Sequence, residues 1–256
     1  MGSRIIHLIA ADAGFRLEGA VEQKAHPAVG KDAGEPAGCG PTDVRITDRI
    51  EEAMGKAQVL IDFSTPAATM EYLKTAAGKG CPMVIGTTGF SKEQTAQISA
   101  QSKKIPCVLS PNMSVGVNLM FRLVGDLAKR AGREYDLEII EAHHRHKKDA
   151  PSGTALRLAE ALADGIGMAL SEAAVYERHG ITGERKPHTI GIQAIRAGDI
   201  IGEHTVIFGG LGERIEIKHV AQSRDNFARG AIKAAQWVVN QKAGLYNMMD
   251  VLGLKQ

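Results

Sequence analysis

Three short, nearly continuous apolar runs recur through the first half of the chain, each closed by turn residues: Val59–Phe63, Pro82–Ile85 and Ile105–Leu109. The segments between them carry the marks of helices. Ser64-Thr65-Pro66 supplies a cap and a first-turn proline for a helix to about Ala77. Ser91 and Gln94 stand at capping-box spacing for a helix to about Lys103. Upstream, Ile5, Leu8 and Ile9 recur at helical spacing over residues 3–12. Gly14 ends that helix, and Phe15, Leu17, Gly19 and Val21 alternate as a short strand ending at Glu22. Gly and Pro crowd the stretch Pro27–Pro41, which reads as a surface loop. Buried strands alternating with helices predict a parallel sheet covered on both faces, the doubly wound α/β arrangement.

The second half has a different rhythm. Val117, Leu119, Met120, Leu123, Val124 and Leu127 mark a long helix over about 116–131, followed by an apolar strand at Leu137–Ile140. Ala155, Leu158, Ala159 and Leu162 line one face of another helix. Thr189–Arg196, Glu203–Phe208 and Arg214–Val220 read as strands, joined by Ala197-Gly-Asp199 and Gly209-Gly-Leu-Gly212. Such short glycine-rich joints favour antiparallel neighbours. A final helix spans 226–240. The expected architecture is a Rossmann-like doubly wound parallel sheet (1–114 with 225–256) plus an α+β domain with a largely antiparallel sheet (115–224).

Composition narrows the function classes. At 256 residues with a net charge of +2, the chain has neither the basic excess of a nucleic-acid binder nor a polybasic membrane surface. One Trp and 4% aromatics leave little for base stacking. No apolar run approaches the ~20 residues that span a bilayer, and the first residues do not have the shape of a signal peptide. Cys39, Cys81 and Cys107 are widely spaced, which fits reduced thiols in a cytoplasmic protein better than a disulfide framework.

The chemistry concentrates in Glu141-Ala-His-His-Arg-His-Lys-Lys-Asp-Ala-Pro-Ser-Gly-Thr154, between an apolar strand and a helix. Imidazoles titrate near neutrality and can donate a proton there. Lysine adds positive field over an anion. Ser152-Gly153-Thr154 precedes a helix whose N-terminus could seat a carboxylate, although capping alone also accounts for Ser152. A zinc site built on His143, His144 and His146 would need a further ligand and a helix-borne general base, neither of which is evident, so no metal is expected.

With those residues in view, four blocks resemble the 4-hydroxy-tetrahydrodipicolinate reductase (dihydrodipicolinate reductase) family, in the same order along the chain. They are Val84–Phe90, Pro111–Asn118, Ile139–Ala155 and Arg196–His204. The resemblance departs at the start, where only Met1-Gly2 stand in place of the family's glycine-rich pyrophosphate loop and no first strand precedes the helix. It departs again at Gln222–Phe227, where Arg224 and Phe227 persist but the residues between differ. The expectation is that the natural reading frame continues upstream of Met1; a catalytically impaired remnant, binding dicarboxylate or assembling with intact subunits, is the alternative.

The resemblance implies hydride transfer from NADH or NADPH to a cyclic dicarboxylate in lysine and diaminopimelate synthesis. It implies His143 and Lys147 as the acid pair, and His144, Ser152, Gly153, Thr154 and Arg224 as substrate contacts. It implies a homotetramer built through the second domain's sheet. The cofactor contacts it implies are Met1, Glu22, Gly86, Thr87, Thr88, Ser110, Pro111, Asn112 and Met113. These lie at a helix start and at the carboxyl ends of strands, where open α/β sheets bind ligands, although Gly86-Thr-Thr-Gly89 alone is equally a tight turn. Gln23 follows Glu22 where some relatives carry an arginine for the 2′-phosphate, so NADH should serve at least as well as NADPH.

Overall fold

The computed structural model describes residues 1–255. The chain divides into two compact units: unit 1 comprises Met1–Val115 and the stretch from Arg224 on, and unit 2 comprises Gly116–Ser223.

In unit 1 the elements follow as α1 (Gly2–Ala10), β1 (Ala20–Val21), α2 (Gly34–Ala37), β2 (Ile46–Thr47), α3 (Ile50–Ala53), β3 (Leu60–Asp62), α4 (Pro66–Lys79), β4 (Met83–Ile85), α5 (Lys92–Gln101) and β5 (Pro106–Leu109). The expected caps form. Thr65 accepts from the Ala68 N–H with Pro66 in the first turn, and Gly80, left-handed at φ +67°, closes α4. Ser91 and Gln94 exchange both bonds of the capping box. Alternation along the strands then builds two layers. Val84 and Val108 pack with the helix pair α1 and residues 228–238, while Met83, Ile85 and Cys107 pack with Leu73, Ala76 and Ile98 of α4 and α5.

Unit 2 contains α6 (Val115–Ala131), β6 (Asp136–His143), α7 (Gly153–Gly165), α8 (Leu170–Ala173), β7 (Ala174–Val175), β8 (Ile190–Arg196), β9 (Glu203–Gly209) and β10 (Arg214–Val220). The chain then returns to unit 1 as α9 (Asp225–Val238), β11 (Gly244–Tyr246) and α10 (Met248–Val251). The last two short elements were not legible in the hydrophobic pattern. β11 adds to the outer edge of a parallel sheet of order β11-β5-β4-β3, while β1 and β2 form a separate parallel pair.

Two local expectations need correction. The Pro27–Pro41 stretch is not a bare loop, because Ala28 and Ala33 form a small core with Ile46. There the Asp32 carboxylate gathers the Gly34 and Thr42 N–H groups and the Thr42 hydroxyl. In unit 2 the sheet order is β10-β9-β6-β8-β7, with β6 antiparallel to β9 and parallel to β8. The Gly209–Gly212 joint makes the predicted hairpin between β9 and β10. The Ala197–Asp199 joint does not: it carries the chain across the end of β6, held by Ala197 N–H to His143 O and Arg145 N–H to Gly198 O. The sheet is therefore mixed. One face packs on α7 through Leu137, Ile139, Ile190, Ile192, Val206 and Phe208.

Candidate functional site

Strand parity places the chemistry of unit 2. Leu137, Ile139, Glu141 and His143 share one face of β6, so a carboxylate follows two core residues into the interior. Glu141 has no solvent exposure. Its oxygens accept from His143 Nδ1 at 2.5 Å, from Arg196 Nη1 and Nη2 at 2.9 and 2.7 Å, and from the Ser152 N–H at 3.0 Å. Burial by itself would raise this carboxyl. The hydrogen bonds from His143, Arg196 and Ser152 outweigh it and hold the group down at about 2.

That carboxylate orients His143. With Nδ1 donating to Glu141, the imidazole turns Nε2 toward Gly202, where a side chain would begin only 3.1 Å from that nitrogen. The glycine therefore leaves Nε2 room. His204 stands edge-on to the His143 ring at a centroid separation of 5.3 Å, and its Nε2 bonds the Ser152 hydroxyl at 3.1 Å. Burial, followed by the neighbouring His143, pushes His204 down to about 3, so it is a neutral ring at neutral pH.

The loop after β6 carries the remaining groups. Lys147 Nζ lies 2.9 Å from Asp149, and Arg196 reaches the Asp149 carbonyl at 2.6 Å, which ties the loop to the Glu141 cluster. His144 is half-buried with Nδ1 unpartnered, tilted toward His146 at 6.3 Å between centroids. Ser152 is buried and caps α7 by accepting from Ala155 N–H at 3.2 Å. Gly153 is exposed, and open space surrounds the position a Cβ would take. The α7 N-terminus thus presents its first N–H groups where an anion could approach.

The cofactor candidates lie in unit 1. Met1 is the N-cap of α1 and makes no side-chain cap, and Gly2 has nothing within 4 Å of a Cβ position. Glu22, exposed, follows β1 and accepts from the Gln23 N–H. Thr87 is buried, and its hydroxyl is committed to Asp62, Thr69 and the Ser64 N–H, whereas Thr88 is exposed. Ser110 bonds the Asn112 carbonyl and Asn112 bonds the Ser114 N–H, shaping the turn after β5. Pro111 is exposed in that turn, while Met113 is buried against α9. An acidic strand end and turns at the carboxyl ends of β3, β4 and β5 fit a dinucleotide. Arg224 is also in unit 1, exposed at the start of α9.

Glu141, Arg196, His204 and Asp62 were not singled out from the sequence. The signal for the first and last was a carboxylate inside an apolar run, at core parity in Glu141's case. Among the described residues, no group of three or more His, Cys, Asp or Glu could hold a metal ion. No helix there is long and apolar enough to cross a membrane.

The comparisons agree with this layout. Residues 1–113 match the family model for the N-terminus of dihydrodipicolinate reductase, and residues 116–252 match its C-terminus model. The chain is 53% identical over 255 residues to the 4-hydroxy-tetrahydrodipicolinate reductase of Syntrophus aciditrophicus, covering all of this chain and 95% of the relative. It is likewise 53% identical to that of Syntrophobacter fumaroxidans, covering 96% of it. A solved structure of dipicolinate-bound dihydrodipicolinate reductase from Paenisporosarcina sp. TG-14 superposes with a TM-score of 0.75 at 25% identity, over 97% of this chain and 94% of that one. The buried-carboxylate histidine strand and the open strand ends thus sit on a chain that belongs to the 4-hydroxy-tetrahydrodipicolinate reductase family.

Proposed function

We propose that this chain reduces 4-hydroxy-tetrahydrodipicolinate to tetrahydrodipicolinate and water in lysine and diaminopimelate synthesis, with His143 as the proton donor and Lys147 as its supporting cation. NADH or NADPH, when bound, supplies the hydride. A ring that gains a hydride must also gain a proton, and the residues of unit 2 are arranged for that need. Glu141 fixes the His143 ring through Nδ1, leaving Nε2 as the nitrogen that holds and delivers the proton. Lys147, four residues on, brings positive charge to a dianionic substrate. The α7 N-terminus at Gly153 and Thr154 seats one carboxylate, with the unpartnered Nδ1 of the half-buried His144 as a further donor. The Arg224 guanidinium, exposed in unit 1, has the fork geometry to pair with a carboxylate. Gln23 beside Glu22 carries no charge for a 2′-phosphate, so NADH serves at least as well as NADPH.

The observation that carries this reading is the buried Glu141 carboxylate holding His143 by one ring nitrogen. A structural histidine on a sheet needs no buried, charge-compensated orienting partner. Self-association through the unit 2 sheet, as a tetramer, is supported by exposed Ile140 and Ile195 on the face opposite α7.

The test is oxidation of NADH by the purified chain with substrate generated in place by the upstream synthase. His143→Ala with Lys147→Ala should lower turnover by roughly two to four orders of magnitude, the usual range for general acids, while the circular dichroism of the protein stays that of the folded chain. Undiminished turnover in the double variant would overturn the assignment.

A further inference from the structure

Given His143 as the proton donor proposed above, we infer that Arg196 is the positioning residue of the same site: its guanidinium keeps the His143 proton transferable and docks the loop that carries Lys147. Arg196 ends β8 directly beside His143 in the parallel register, two residues on from the partner of Glu141. Its Nη1 and Nη2 fork onto the two oxygens of Glu141 at 2.9 and 2.7 Å, and Nη1 also bonds the Ile195 carbonyl at 2.7 Å. The oxygen that accepts from Nη1 is Oε2, the one that also binds His143 Nδ1.

A histidine–carboxylate pair shielded from water is by itself a reluctant acid. With no other cation at hand, the carboxylate holds the imidazolium as its counter-ion, and the proton leaves less readily. Arg196 removes that conflict. Its charge answers Glu141, so the carboxylate still fixes Nδ1 through a hydrogen bond without needing a second positive charge on the ring. A guanidinium stays protonated throughout the working range, so this compensation does not vary with pH. The other groups facing His143 do not supply it. On β9, His204 is pushed down to about 3 by burial and then by His143, and its cross-strand partner His219 on β10 is lowered by burial, so both rings are neutral at neutral pH. In the loop, Lys147 Nζ is engaged by Asp149 at 2.9 Å.

The end of β8 also grips that loop. Arg196 Nη2 donates to the Asp149 carbonyl at 2.6 Å, the Ala197 N–H to the His143 carbonyl at 2.9 Å, and the Arg145 N–H to the Gly198 carbonyl at 3.1 Å. Three successive residues thus hold both ends of the segment between His143 and Asp149, and the Asp149 side chain holds Lys147 in turn. A lysine at 196 would keep the charge, but a single ammonium on a flexible stem cannot span Glu141 and Asp149 together.

The experiment follows turnover of the full chain across neutral and alkaline pH, with substrate generated in place, for wild type, Arg196→Gln and Arg196→Lys. In parallel, NMR of the His143 ring nitrogens records its titration without substrate. In Arg196→Gln the pH above which turnover falls should move up by about one unit or more, the effect of an uncompensated opposite charge in contact. Turnover below that pH should drop roughly three- to tenfold, because the donor holds its proton more tightly. The ring titration should move up with the turnover limb. Arg196→Lys should keep both within about half a unit of wild type, yet raise KM at least ~fivefold through the loosened Lys147 loop. Lower turnover in Arg196→Gln with neither midpoint displaced would overturn the inference, by showing a purely structural arginine, and would leave the donor assignment standing. A ring midpoint that moves while the turnover limb stays would sink His143 as donor, and the inference with it. Should circular dichroism show Arg196→Gln unfolded, Arg196→Lys decides alone: an unchanged KM, or a turnover limb displaced by a full unit, would overturn the inference.

Discussion

Replacing Glu141 by glutamine keeps the side chain's shape and removes only its charge and half its acceptor capacity. The wild-type carboxylate receives four hydrogen bonds, from His143, Ser152 and twice from Arg196, in a site without solvent. Glutamine offers one oxygen and one NH2 group, so whichever way it sits, donors face donors. Arg196, whose Nε already lacks a partner, also loses its counter-ion. Breaking a buried ion pair from one side costs about 3–5 kcal/mol. An independent route gives a similar size: a carboxyl displaced from 4.5 to about 2 corresponds to about 3 kcal/mol of folding stability. Because the folded-state value is depressed, this contribution is complete above pH 4.5 and lost as pH falls toward 2. Urea unfolding of both proteins by circular dichroism, with amide exchange in β6 as the local reporter, measures the difference. The gap should be about 3 kcal/mol at pH 7 and shrink to about 1 kcal/mol at pH 3. A gap below about 1 kcal/mol at pH 7, or one that does not change with pH, would refute the argument that the carboxylate is held ionised by its partners.

Other consequences are open to direct measurement. His204 is pushed from 6.5 down to about 3, so the unfolded chain takes up a proton first and stability should fall by roughly 1.4 kcal/mol per pH unit between those values; His204→Gln should flatten that slope in acid titrations. Burial raises the Cys81 thiol and pushes Cys107 up to about 12, so a thiol reagent at pH 8 should label Cys39 in the native protein and the other two only after unfolding; prompt labelling of Cys107 would contradict its burial. A Cβ at Gly230 would lie 1.7 Å from the Met113 carbonyl oxygen, so Gly230→Ala must push α9 off the turn after β5; roughly 3 kcal/mol should be lost, read by fluorescence of the single Trp237 in α9, and an unchanged midpoint would show that the helix can move freely.

What the sequence disclosed depended on how local the cause was. The helices α4 and α5 were legible because their starts are set within four residues, by Thr65-Pro66 and by the Ser91–Gln94 exchange. The parallel strands were legible because burial on both faces leaves a nearly unbroken apolar run. Pairing partners are a different kind of fact. The Ala197–Asp199 joint has the length and glycine of a hairpin turn, yet it crosses the end of β6, because β6 is the strand with partners on both sides. Nothing within three residues of that joint specifies this. The small core of Ala28, Ala33 and Ile46 was hidden for a related reason: it is held by Asp32, whose acceptors reach ten residues on to Thr42. The candidate site follows the same division. Its histidines and lysine stood out because they cluster in sequence, whereas Arg196 and His204 reach them from other strands. Glu141 lies between these cases. Its position on the face shared by Leu137 and Ile139 was readable from alternation alone, and a carboxylate at such a parity must find cations or lose its charge. Strand alternation thus predicts a buried basic partner for Glu141, whereas the partner's identity, Arg196, depends on which strand lies beside β6.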